Sequence, residues 1–229
     1  MKFHPILFST PMVQAIIQGN KTQTRRVVKP QPKNQDYTPR SFTDYFGNQF
    51  WEFRKSPIEV ETKTWECPYG QVGDVLWVRE SYLKPPQNIT QKMLDDGADT
   101  WPSFDHVADC ELGDIEQYKE WGWKVKPSIH MPKEACRLFL KITDIRVERL
   151  QDISEEDAIA EGVEPVGFDQ KSQRVTRYRG YPIDQGYFYN ARESFATLWQ
   201  SINGKDSWNS NPWVWVISFE RIEKPENFI

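Results

Sequence analysis

Apolar positions along this chain fall in short runs, each bounded by a turn signal. The first, Met12 to Ile17, has Pro11 suited to an opening helical position, Thr10 to its N-cap and Gly19 to its stop. The pattern predicts a short helix that ends where a basic, hydroxyl-rich segment begins. Tyr45 to Trp51 places Gly47-Asn48 between aromatic residues and predicts a hairpin. Gly73-Asp74 then introduces a strand, Val75-Leu76-Trp77-Val78-Arg79-Glu80. From Leu138 to Leu150, Leu138, Leu140 and Ile142 alternate with Phe139, Lys141 and Thr143, which predicts one or two strands. Ser154-Glu155-Glu156-Asp157 has the form of a helix start, with Gly162 as the stop. A second helix opens at Asn190, with Glu193 three residues on. Its Ala191, Phe195, Leu198, Trp199 and Ile202 make one apolar stripe, expected to be core. Trp213 to Phe219 is apolar on nearly both faces and predicts a central, covered strand.

Residues 29–40, rich in Pro, Gln and Asn, are expected to form a loop. Residues 84–126 hold five cations, nine anions and no clean period. They are expected to be an insertion that lays Trp101, Trp121 and Trp123 onto the body. Separated strands with short helices between them predict a mixed α+β fold, a compact barrel or mixed sheet, rather than a doubly wound one. At 229 residues the chain is expected to be a single domain, 1–229, with insertions at about 29–68, 84–126 and 164–189.

Composition narrows the setting. Cys67, Cys110 and Cys136 are too few and too scattered for a disulfide framework. No run is long enough to span a membrane and no signal-peptide core opens the chain, so the expectation is a cytoplasmic protein with no membrane partner. The net charge of −4 hides an asymmetry: residues 1–40 carry seven cations against Asp36 alone, while residues 41–120 carry seven cations and sixteen anions. A mildly acidic chain is not a bulk nucleic-acid binder, but recognition of one nucleotide or loop stays open.

Two constellations could carry chemistry. Lys21 and Thr24 share one side only if a turn or helix end lies between them. A threonine hydroxyl becomes a nucleophile when a base is near, and a lysine serves when burial or neighbouring cations such as Arg25 and Arg26 lower its pKa. Strand alternation puts Glu80 at the end of an otherwise apolar face with Leu76 and Val78. A carboxylate there is either desolvated, with a raised pKa, or paired, for example with an arginine of the 21–26 segment.

Gly19-Asn20-Lys21-Thr22-Gln23-Thr24-Arg25-Arg26, Gly73 to Glu80 and Asn211-Pro212-Trp213-Val214-Trp215-Val216 together resemble the ASCH domain family. With Pro127-Ser128-Ile129-His130-Met131-Pro132, the pattern is most similar to phage and prophage members. The resemblance implies a PUA-like β-barrel with flanking short helices and inserted loops. It also implies a relation to metal-free amidohydrolases that deacetylate N4-acetylcytidine, with Lys21, Thr24 and Glu80 as the catalytic set. Thr24 would attack the acetamide carbonyl, Lys21 would take its proton, and Glu80 would orient the lysine or return a proton to the leaving amine. Arg25, Arg26, Trp77, Arg79 and His130 are the candidate substrate contacts. The alternative on the same fold is a module that binds RNA or a modified base without turning it over, or a ribonuclease.

Between residues 171 and 189, Lys171, Arg174, Arg177 and Arg179 are interleaved with Tyr178, Tyr181, Tyr187, Phe188 and Tyr189. This suits either single-stranded RNA or a tyrosine-rich capping loop. Arg174, Arg177, Tyr178 and Arg179 are the candidate nucleic-acid contacts. His106 and Cys110 are four apart, yet without a Cys-x-x-Cys or His-x-x-x-His pair no metal site and no cofactor is expected.

Overall fold

In the computed structural model, residues 1–33, 36–56, 58, 60–95, 97–111, 113–169, 174–182 and 185–228 are described. The strands are β1 (Phe3–Leu7), β2 (Gln23–Val27), β3 (Thr38–Thr43), β4 (Gln49–Arg54), β5 (Val60–Trp65), β6 (Val75–Arg79), β7 (Tyr82–Lys84), β8 (Asp105–His106), β9 (Lys124–Lys126), β10 (Phe139–Arg149), β11 (Pro165–Asp169), β12 (Arg174–Arg179), β13 (Tyr187–Phe188) and β14 (Trp213–Ile222). The helices are α1 (Thr10–Ile17), α2 (Gln91–Asp95), α3 (Asp114–Glu120), α4 (Glu155–Ala160) and α5 (Ala191–Asn203). The fold is mixed α+β, mostly strands.

Five strands form the main sheet in the order β1-β6-β10-β14-β2, with β1 and β6 parallel and every other pair antiparallel. The expected run from 138 to 150 is one long strand, β10, bent by an irregularity between Ile142 and Asp144. Among the described residues no ladder closes this sheet into a barrel. β1 and β2 are its two edges, and a side chain spans the seam: Arg26 Nη2 on β2 donates to the Leu7 carbonyl on β1 at 2.7 Å.

Two of the stretches expected to be insertions carry their own three-stranded sheets, β3-β4-β5 and β11-β12-β13, while the 84–126 stretch adds β8 and β9 to either side of β7, which begins just before it. The 29–40 stretch is thus not all loop, because Thr38 already starts β3. The β3–β4 hairpin turns over Gly47, whose φ of +85° is available to glycine at little cost. Its far end is not ornamental. Trp51 meets Trp215 edge-on at 4.8 Å, and Phe53 meets Trp213 at 5.2 Å. In the 84–126 stretch, Trp101 stacks on Trp121 at 5.9 Å and tilts against Trp123 at 5.5 Å.

β14 is the central strand that the apolar run predicts, with Trp213, Val214, Trp215, Val216 and Ile217 all buried in the main core. α1 and α5 complete that core through Met12, Val13, Ile16, Phe195, Leu198 and Trp199. A smaller cluster covers the other face of β6, where Phe228 packs against Phe3, Trp77 and Phe139. α1 begins one residue earlier than expected, with Ser9 rather than Thr10 at the N-cap. Ser154 and Asn190 cap α4 and α5 as expected, each accepting from the backbone N–H three residues on. Because Trp215 lies at the crossing of the main sheet and the β3–β5 sheet, Trp215→Ala is expected to cost about 3–5 kcal/mol in denaturant unfolding.

Candidate active site

The Lys21 segment is held from both sides. Asn20 and Lys21 donate their N–H groups to the Ala15 carbonyl at the end of α1, at 2.8 and 3.1 Å. Thr22 N–H then bonds the Ala160 carbonyl at 2.9 Å, and Lys21 forms an isolated antiparallel bridge with Glu161. Gly162 permits this approach. Its φ is +86°, and a Cβ there would lie 2.9 Å from the Lys21 Cβ and 3.0 Å from the Ala15 Cβ.

The result is a buried charge relay. Lys21 Nζ donates to the Gln23 carbonyl, the Glu161 carbonyl and Glu161 Oε2, each at 2.8 Å. Three acceptors satisfy all three protons of an ammonium. The Lys21 side chain is only 1% exposed. Burial lowers its pKa below the ordinary lysine value; Glu161 opposes that shift, while Arg26 and Arg25 add to it.

Glu161 is shared with Arg25, whose Nη1 lies 3.2 Å from Oε1. Arg25 also pairs through Nη2 with Glu148 at 2.5 Å and Asp157 at 2.8 Å, and Arg146 reaches Asp157 and Glu148 in turn. Burial works against the Arg25 charge, but Glu161, Glu148 and Asp157 outweigh it and raise its pKa. Asp157 is lowered despite its own burial, chiefly by the hydrogen bond and charge of Arg25.

A cavity of about 640 Å³ opens in the seam between β1 and β2. Lys21 and Thr24 both line it, with Arg25, Arg26 and Glu161, and α5 supplies Phe195, Leu198 and Trp199. The α5 stripe is therefore core and cavity wall at once. Its last member, Ile202, is 58% exposed at the cavity instead of buried. Thr24 is buried, and among the described residues its hydroxyl has no side-chain hydrogen bond. Phe8 lies under both cations that face it, 5.6 Å from Lys21 Nζ and 5.3 Å from the Arg26 guanidinium.

Glu80 does not join this group. Its buried carboxylate receives Arg137 Nε at 2.9 Å and Nη2 at 3.1 Å, with His106 Nε2 at 3.9 Å. Its partner is thus Arg137 rather than an arginine of the 21–26 segment. Glu80, Trp77, Arg79 and His130 are absent from the cavity lining among the described residues; Ser81 and Ser128 take part instead. Arg79 donates to the Ile129 carbonyl and lies over Trp77, which packs on Phe228. His130 accepts at its carbonyl from the Tyr82 hydroxyl.

The candidate nucleic-acid contacts lie on β12 and divide. Tyr178 is buried and Arg179 pairs with Glu164 at 2.6 Å, whereas Arg177 is exposed. Lys171 and the side chain of Arg174 lie outside the described residues. Asp105, His106 and Asp109 bring ligand atoms within 4.8 Å of one another, but Tyr118 donates to Asp105 and Arg137 to Asp109. No helix among the described residues is long and apolar enough to cross a membrane.

Glu161 is the residue that sequence reasoning misses. Its only local signal is a carboxylate between the capped helix and a stop glycine, a place where solvated acids are common. Comparison with known proteins returned no matching family model, no matching curated protein and no matching solved structure.

Arg25→Met leaves Glu161, Glu148 and Asp157 without their shared cation and is expected to cost about 3–5 kcal/mol of unfolding free energy. Asp157, whose folded pKa is lowered, contributes fully above its ordinary value of 3.8 and loses that contribution as the pH falls toward the folded value. Unfolding midpoints across acid pH should therefore fall more steeply in the wild type than in Arg25→Met.

Proposed function

We propose that this protein is an amidohydrolase of the ASCH kind, on a PUA-like barrel left open at the β1–β2 seam. Its substrate is an N4-acylated cytidine or a similar modified base. The observation that carries the proposal is the buried Lys21–Glu161 pair lining the same cavity as the otherwise unengaged Thr24 hydroxyl. A volume of about 640 Å³ lies within the usual size of ligand sites, and its mixture of aromatic wall and buried cations suits a nucleobase.

Glu161, not Glu80, is the carboxylate of this mechanism. Lys21 acts as a neutral amine, the form that its lowered pKa favours, and Glu161 holds it in place. The amine removes the Thr24 proton as Oγ1 bonds to the acyl carbon. The C–N bond breaks as Lys21 returns that proton to the leaving exocyclic nitrogen. Water then attacks the Thr24 ester, with Lys21 again taking its proton and returning it to Oγ1. The products are the free base amine and a carboxylic acid.

A second reading has an observation in its favour. All three Lys21 protons are already accepted by the protein, the arrangement expected of a protonated lysine with a structural role. A binding module on the same barrel would hold the base without consuming it.

A chromatographic assay of N4-acetylcytidine separates the two. Turnover is expected in the wild type, falling at least about 100-fold in Lys21→Met, Thr24→Ala and Glu161→Gln. Thr24→Ser should keep part of the rate. Activity should rise with pH through the lowered Lys21 pKa and level off below the ordinary lysine value of 10.5. Binding without turnover supports the module, and loss in Glu80→Gln with an active Glu161→Gln would contradict the assignment of the carboxylate.

A further inference from the structure

The cations that line the seam cavity are of two kinds. Lys21 and Arg25 are matched by carboxylates. Arg26 and Lys29 line the same cavity, and among the described residues neither has a carboxylate within ion-pair distance.

Arg26 is held but not satisfied. It sits on the face of β2 that also carries Thr24, opposite Arg25. One of its five N–H donors goes to the Leu7 carbonyl, and its guanidinium lies over Phe8. Its Nε is buried and has no hydrogen-bond partner. Lys29 is exposed and Arg26 part-buried.

The depth order of the cavity adds a direction. Lys21 and Thr24 are buried at its floor, Arg26 is part-buried above them, and Lys29 and Ser9 are exposed at the mouth. Ser9, Ser81 and Ser128 add hydroxyl groups to that lining, and Glu161, the acid that lines the cavity, is already committed to Lys21 and Arg25. A ligand with its base at the floor would thus present whatever projects from its sugar to an unpaired arginine and a lysine. Arginine and lysine beside hydroxyl donors make a phosphate site.

We infer that the cavity takes a phosphorylated ligand, a nucleotide whose phosphate is held by Arg26 and Lys29, in preference to the free nucleoside. This rests on the proposed base at the Lys21–Thr24 floor, but it can fail separately from the chemistry. Arg26 then serves twice, clipping the sheet edges through Leu7 and meeting the phosphate through the outer nitrogens of its guanidinium.

Isothermal titration with cytidine, cytidine 5′-monophosphate and a short single-stranded oligocytidylate tests it, in the wild type and in Thr24→Ala. The monophosphate is expected to bind about 10- to 100-fold tighter than cytidine, the size of one added charge-assisted contact. The ratio should shrink as salt rises. Arg26→Gln should bring the ratio toward one and Arg26→Lys should keep part of it, which separates lost charge from a disturbed fold. Tighter binding of the oligonucleotide would assign the phosphate to a polynucleotide, and tighter binding of the monophosphate to a free nucleotide. Equal affinity for cytidine and its monophosphate in the wild type, no binding of either, or a ratio unchanged in Arg26→Gln would overturn the inference. A phosphate preference with no deacetylation in any form would sustain it while removing the amidohydrolase.

Discussion

The structure around the seam depends on one buried carboxylate shared by two buried cations. Glu161 ties Lys21 with one oxygen and Arg25 with the other. Removing Glu161 leaves the buried Lys21 without its carboxylate, a strongly destabilising loss when the cation stays charged. That constraint fixes the end of α4 against the start of β2, and it fixes Lys21 within the cavity wall. Glu148, Asp157 and Arg146 extend the same network to β10, so the site is braced from three elements at once.

The brace also explains the chemistry that the cavity can support. A lysine on the surface is protonated and hydrated, useful as a point charge but not as a base. Here burial pushes the amine toward neutrality, while Glu161 holds it in place at 2.8 Å. Thr24 and Arg26 share the opposite face of β2 from Gln23 and Arg25. The cavity nevertheless reaches residues of both faces, since Lys21, Thr24, Arg25 and Arg26 all line it.

Much of the fold was legible because its elements have local causes. The cap residues Ser154 and Asn190, the glycine turn in the β3–β4 hairpin and the doubly apolar β14 all follow from side chains within a few positions. The three small sheets were less visible, since their strands borrow burial from partners far away, as Trp51 does from Trp215. At the site, Lys21 and Thr24 stood out as a pair, and both line the cavity. Glu80 and Glu161 could not be told apart by pattern. Glu80 ends an apolar strand, which draws the eye, but Arg137, a residue 57 positions later, takes its carboxylate. Glu161 reaches Lys21 across 140 positions through a helix end and a glycine, a relation that only the folded chain makes.

The most direct test of this account is the titration of Lys21 itself, followed by NMR of isotope-labelled lysine and assigned with Lys21→Met. Lys21 is expected to titrate below the ordinary lysine value in the wild type. In Glu161→Gln it should titrate lower still, because the carboxylate that supports its charge is gone. A Lys21 that titrates with the exposed lysines, unmoved by Glu161→Gln, would contradict the buried pair on which both the brace and the chemistry depend.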